Sequence, residues 1–180
     1  MDIQSALQRF VSDYVSLYQT EQKPMVIQYD SNWPSPCYQS KAEDNEWVGW
    51  QPVLQQQPMS LSDFENALDI TMDKQLAAYF SCYWSDNLNA KTARGNLQLL
   101  LPWNEQDFER LQQNLIAHVL MKRRLKQKET LFFAVTDEDD FIISVDNESG
   151  KVMLEQVGLE PQEELADSLL SFIQQLSPRL

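Results

Sequence analysis

Four carboxylates stand in a row at Asp137, Glu138, Asp139 and Asp140, between the strand-forming runs TLFFAV and FIISV. Clustered acids of this kind hold divalent cations in two-metal hydrolases, and they also build acidic docking faces. Consecutive strand residues alternate faces, however, and a tight turn splays its side chains outward, so a metal centre needs acids from several elements. A solvated turn therefore ranks first, a share in an acidic partner-binding surface second, and a carboxylate metal-dependent hydrolase third. A second acidic set, Glu43, Asp44 and Glu46, precedes Trp47 and Trp50 in a loop-like stretch. Aromatic rings beside carboxylates suit a surface that grips Lys and Arg by charge and by cation–π contact. The competing reading, that both indoles are buried, has about equal weight.

Other catalytic patterns are missing. His118 is the only histidine, so any Ser/His/Asp or Cys/His mechanism would run through it. It shares a helical stretch with Leu111, Leu115 and Val119, which places it in or beside the core as a structural residue. The four glycines, at 49, 95, 150 and 158, form no Walker loop, dinucleotide fingerprint or nucleophile elbow. No cofactor is expected. Cys37 and Cys82 form no metal-binding or paired motif, and the N-terminal segment MDIQSALQRF lacks the basic start and apolar run of a signal peptide. The expectation is a cytosolic protein with reduced thiols.

The formal charge is −13, from 14 basic and 27 acidic residues, and its distribution is uneven. Residues 122 to 128, KRRLKQK, hold five of the basic residues, which leaves nine against 27 acids elsewhere, a net of −18. Such a molecule is repelled by nucleic acid and by anionic lipid, and a basic protein partner suits it better. The basic run falls at the end of a long helical pattern, where cations complement the helix dipole without any ligand. No apolar run approaches the roughly 20 residues that span a bilayer.

The elements that must position these residues fit one α+β domain over residues 1 to 180, a mostly antiparallel sheet with helices packed against it. Residues 2 to 19 place Ile3, Leu7, Phe10, Val11 and Tyr14 at helical spacing. Pro34, Pro36, Pro52 and Pro58 favour an ordered loop region with short strands. Ser62 and Glu65 read as a capping box opening a helix, continuous or broken, through Leu76, Tyr79, Phe80 and Tyr83. NAKTA and LQLLL flank a hairpin turn at Arg94 to Asn96, and Asn104 caps the helix that ends in the basic run. TLFFAV, FIISV and KVMLEQV form an antiparallel meander, and a last helix begins near Pro161.

Several strings together resemble the Syd family of SecY-interacting proteins: PSPC at 34 to 37, WQP at 50 to 52, WNEQDFERLQQNLIAH at 103 to 118, RLK at 124 to 126, TLFFA at 130 to 134 and ISVDNESG at 143 to 150. The resemblance implies a SUKH-like α+β fold with a concave acidic surface. It further implies a non-enzymatic cytoplasmic protein, peripheral on the cytoplasmic face of the bacterial inner membrane. There it would bind basic cytosolic loops of SecY and monitor or modulate assembly of the translocation channel, with no nucleic acid and no direct lipid contact. Glu43, Asp44, Glu46, Trp50 and Asp137 to Asp140 are the expected contact residues. An immunity protein that neutralises a basic toxin is the alternative.

Overall fold

Asp2 opens the first helix, α1 (Ile3–Thr20), by accepting a hydrogen bond from the Ser5 backbone N–H at 2.8 Å. One face of α1 buries Ile3, Ala6, Leu7, Phe10, Val11 and Tyr14, as the apolar spacing requires. In this computed structural model, which describes residues 1 to 180, the chain then enters a proline-rich region of short strands. Here β1 (Val26–Gln28) pairs antiparallel with β2 (Trp47–Gly49). Next, β3 (Val53–Leu54) pairs with β4 (Tyr83–Trp84) across an intervening helical segment.

That segment is broken, and its expected capping box does not form. α2 (Ser62–Leu68) begins with Ser62 already inside the helix, and no side chain caps its N-terminus. Glu65 instead accepts from the Met72 N–H at 2.9 Å, which ties the end of the break back to α2. Asp69 adopts a left-handed conformation, φ 54°, and stops α2; Asp73 then caps α3 (Lys74–Phe80) by accepting from the N–H groups of Gln75 and Leu76.

A seven-stranded antiparallel sheet follows, with spatial order β10-β9-β8-β7-β6-β5-β11. β5 (Leu88–Lys91) and β6 (Asn96–Leu99) are the expected hairpin. α4 (Glu105–Arg124) starts at Asn104, whose side chain accepts from the Asp107 N–H, and ends in basic residues that suit the helix dipole. β7 (Thr130–Thr136), β8 (Phe141–Asp146) and β9 (Val152–Gln156) form the meander. α4 lies against β7, where the His118 ring stands edge-on to Phe132 at 5.4 Å. Phe133 turns instead to Tyr79 of α3 and Phe172, so adjacent residues of one strand serve two helical layers.

The C-terminal part departs from expectation. No helix begins at Pro161: Glu163–Ala166 is strand β10, and α5 (Leu169–Gln174) starts later, capped by the Ser168 hydroxyl. Leu165 and Leu169 sit four apart, as in a helix, but the open edge of β9 offers backbone hydrogen bonds that the local pattern cannot reveal. After α5, β11 (Ser177–Pro178) pairs with β5 and closes the far edge. No helix is long and apolar enough to cross a membrane. Cys37 and Cys82 are free and buried, and burial pushes both thiols up to about 11, which keeps them protonated and unreactive at neutral pH.

Candidate functional site

The two acidic sets belong to different parts of the molecule. Asp137 to Asp140 form the exposed β7–β8 turn. The Thr136 hydroxyl organises it, donating toward the carbonyls of Glu138 and Phe141 at 3.0 Å and accepting from the Glu138 N–H. Asp137 accepts from the Asn96 side chain at 3.2 Å and faces Arg179 at 3.6 Å. Glu43, Asp44 and Glu46 lie exposed in the β1–β2 connection, where Asp44 accepts from both the backbone N–H and the hydroxyl of Ser31. No three His, Cys, Asp or Glu side chains are grouped so as to hold a metal ion.

Trp50 is not on the surface. It is 5% exposed and packs edge-on against Trp103 at 5.9 Å, whereas Trp47 is 66% exposed. Extended backbone explains the difference: Trp47 points outward, Val48 inward, and Trp50 inward again. The expected contact residue Trp50 is therefore core, and the loop's accessible indole is Trp47.

A groove of about 430 Å³ opens between the end of β1, the aromatic loop 30 to 38, residues 85 to 87 and the first turns of α4. Three carboxylates line it, Asp30, Asp86 and Asp107, against a single cation, Arg110. Its rings are Trp33, Tyr38, Trp103 and Phe132. Asp107 is fixed by the Trp103 N–H, which donates to its carboxylate at 2.9 Å. The aromatic loop is pinned to the α4 start by the Asn104 side chain, which donates to the Pro34 carbonyl at 2.8 Å, and by the Ser35 hydroxyl, which donates to the Trp103 carbonyl at 2.8 Å. Tyr38 stands edge-on to Trp103 at 5.2 Å and tilts against Tyr29 at 4.7 Å. These contacts join segments 70 residues apart, so the groove is built by the tertiary fold and not by any local motif.

Asp86 occupies an electrostatically costly position in this groove. Its side chain keeps contact with solvent, but the surrounding groove displaces bulk water, and this desolvation raises its pKa above the usual carboxylate value. A hydrogen bond from the Asn87 N–H at 2.9 Å opposes the shift, and the nearby negative charge of Asp107 adds to it. A cation placed beside Asp86 would relieve that cost. The acid Asp44 is linked to this groove, because Ser31, which it binds, follows Asp30.

A second hollow, about 440 Å³, lies between the β5–β6 hairpin, the β7–β8 turn and β10. Its apolar floor includes Leu97, Ile143 and Phe172, and its rim includes Asp137, Glu138 and the Arg94–Glu163 ion pair at 3.0 Å. The two hollows share no lining residue. Asp137 and Glu138 thus belong to a place distinct from the groove near Asp44.

The sequence analysis also missed a buried charged cluster. Lys122, read only as one of the cations that complement the helix C-terminus, is fully buried and pairs with the equally buried Glu155 at 3.0 Å. Glu155 also accepts from Thr130 at 3.1 Å and Ser144 at 2.6 Å, while Lys122 donates to the Leu159 carbonyl at 2.9 Å. His118 stands 3.0 Å from the Thr130 hydroxyl and 3.5 Å from Glu155. Burial lowers the His118 pKa; Glu155 opposes the change and Lys122 reinforces it. Both charges and both hydroxyls here are paired inside the fold, so the cluster is scaffolding. One signal was available: Glu155 follows the apolar run Val152 to Leu154 within one strand pattern, and an acid facing inward there needs a buried partner.

Comparison with known proteins places the whole chain. A family model described as Syd protein (SUKH-2) matches residues 4–178. The chain belongs to the Syd family. A Syd relative from Alteromonas mediterranea is 51% identical over 178 residues, 99% of this chain and 97% of the relative. Another from Pseudoalteromonas atlantica is 45% identical over 178 residues, 98% and 96% of the two chains. The Syd protein of Colwellia psychrerythraea is 45% identical over 160 residues.

Proposed function

We propose that the protein is a non-enzymatic SecY-binding factor that works at the cytoplasmic face of the inner membrane, where its acidic groove receives Lys and Arg side chains of SecY cytosolic loops. One observation carries this reading: in a Syd-family chain, the groove sets three carboxylates and several aromatic rings around a single cation. Cytoplasmic loops of membrane proteins are rich in Lys and Arg, and the lipids around them are anionic. An acidic protein reaches that surface through the loops and not through lipid. Its contact would report on channels whose loops are free, which is a basis for monitoring assembly.

Charge complementarity speeds encounter and selects partners more than it supplies affinity, and salt screens it. The rings add the cation–π part, which salt weakens less. In this reading Glu43, Asp44 and Glu46 extend the acidic field at the groove, with Trp47 beside them. Asp137 to Asp140 contribute only a longer-range potential from the β7–β8 turn.

The test is binding to detergent-solubilised SecY-containing channel across a salt series. Affinity should fall as salt rises, and Asp30→Asn with Asp86→Asn should weaken low-salt binding by about tenfold. Binding that ignores both salt and the double variant would sink the groove reading. No channel binding, with tight capture of a basic toxin domain instead, would support an immunity role.

A further inference from the structure

Arg110 is the groove's only cation, and its surroundings are those expected for a captured ligand. Its guanidinium lies 2.5 Å from an Asp107 carboxylate oxygen, and its Cζ stands 5.7 Å from the centre of the Trp33 ring. The anion is well held: Asp107 is 16% exposed, accepts from the Trp103 N–H through its other oxygen, and stands at the capped start of α4. The Trp33 backbone is anchored too: its N–H donates to the Asp30 carbonyl at 3.1 Å, and its carbonyl faces the Tyr38 hydroxyl at 3.5 Å. Arg110 itself is 67% exposed and bonds to nothing else, so an exposed side chain occupies a seat built from an anchored carboxylate and an anchored loop.

We infer that Arg110 is an intramolecular stand-in for the partner's cation: it occupies the Trp33–Asp107 seat, and an incoming Arg or Lys side chain binds there by displacing it. This rests on the reading that the groove receives basic segments. An exposed ion pair and an exposed cation–π contact are each weak, so displacement is cheap but not free. Arg110 therefore lowers affinity for isolated cations and leaves the seat to partners that bring several at once. It also keeps Asp107 paired while the groove is empty. The device favours a loop carrying clustered basic residues over any single lysine on a passing protein.

The experiment uses the full chain and a labelled peptide, Gly-Arg-Lys-Arg-Gly, followed by fluorescence anisotropy in about 50 mM salt, where screening is weak. Arg110→Gln keeps a good helix former at an exposed position, and circular dichroism checks its fold. It should bind the peptide about threefold to tenfold more tightly than the parent protein. Arg124→Gln removes the same unit of charge outside the groove and should change affinity less than about twofold. In the Arg110→Gln background, adding Trp33→Leu or Asp107→Asn should abolish the gain. If the parent protein binds the peptide and Arg110→Gln binds no more tightly, or Arg124→Gln gains as much, the stand-in role is wrong and the groove reading survives. If neither parent nor Arg110→Gln binds the peptide, the groove reading falls and takes this inference with it.

Discussion

Two carboxylate–cation pairs draw their cations from the same helix, α4, and do opposite work. Lys122 and Glu155 meet at 3.0 Å with neither side chain exposed, while Arg110 and Asp107 meet at 2.5 Å with the arginine open to water. The buried pair is enclosed by Thr130, Ser144 and the Leu159 carbonyl, so its hydrogen-bonding capacity is used within the fold. The exposed pair leaves capacity unused beside two further carboxylates, Asp30 and Asp86. Burial decides the role: a charge that cannot reach water must be satisfied internally, whereas one at a groove can exchange partners.

Breaking the buried pair should have the largest effect. Lys122→Ala or Glu155→Ala strands a charge in the core and should cost about 3–5 kcal/mol, read as a large fall in melting temperature or denaturant midpoint. The joint change Lys122→Met with Glu155→Leu should restore much of the loss, because it removes both charges; a double variant as unstable as the singles would mean that the wider network is indispensable.

The groove should behave in the reverse way. Asp30→Asn with Asp86→Asn should weaken binding of basic loops by about tenfold while the melting temperature holds or rises. A carboxylate whose folded pKa is raised is costly when charged, so replacing Asp86 with an amide relieves the protein. A clear loss of stability in the double variant would erase the contrast between the two regions.

Protonation sharpens the comparison further. The folded pKa of His118 lies below its ordinary value of about 6.5, so the unfolded chain binds a proton more readily. Its contribution to stability is present above about pH 6.5 and is lost as pH falls from there toward the folded pKa. Melting temperature should decline across that window, and His118→Gln should flatten the decline; an unchanged slope would remove His118 as its source. The smallest effect is expected at the β7–β8 turn, where replacing Asp137 to Asp140 by their amides should slow association by less than about threefold, only at low salt. A tenfold loss there would make that turn, and not the groove, the main contact.

Local patterns revealed much of the scaffold. The apolar spacing of α1, the Asn104 cap of α4 and the β-rich, turn-bounded runs of β7 to β9 each depend on neighbours in sequence. The stretch after Pro161 was illegible because Leu165 and Leu169 fit a helix, and only the distant edge of β9 makes Glu163–Ala166 a strand. Lys122 looked like one more terminal cation, and its partner Glu155 lies 33 residues on. The groove was hidden for the same reason. Asp30, Asp86 and Asp107 come from three separate segments, whereas the conspicuous run at Asp137 to Asp140 owes its density to a turn.

Site-specific photocrosslinking tests the central claim most directly. A photoreactive amino acid is placed at Asn114, on the groove wall, or at Asp139, on the β7–β8 turn, and each protein is irradiated with SecY-containing channel. The account expects a SecY adduct from position 114 that fades with added salt, and little from position 139. Adducts from position 139 with none from position 114 would contradict it.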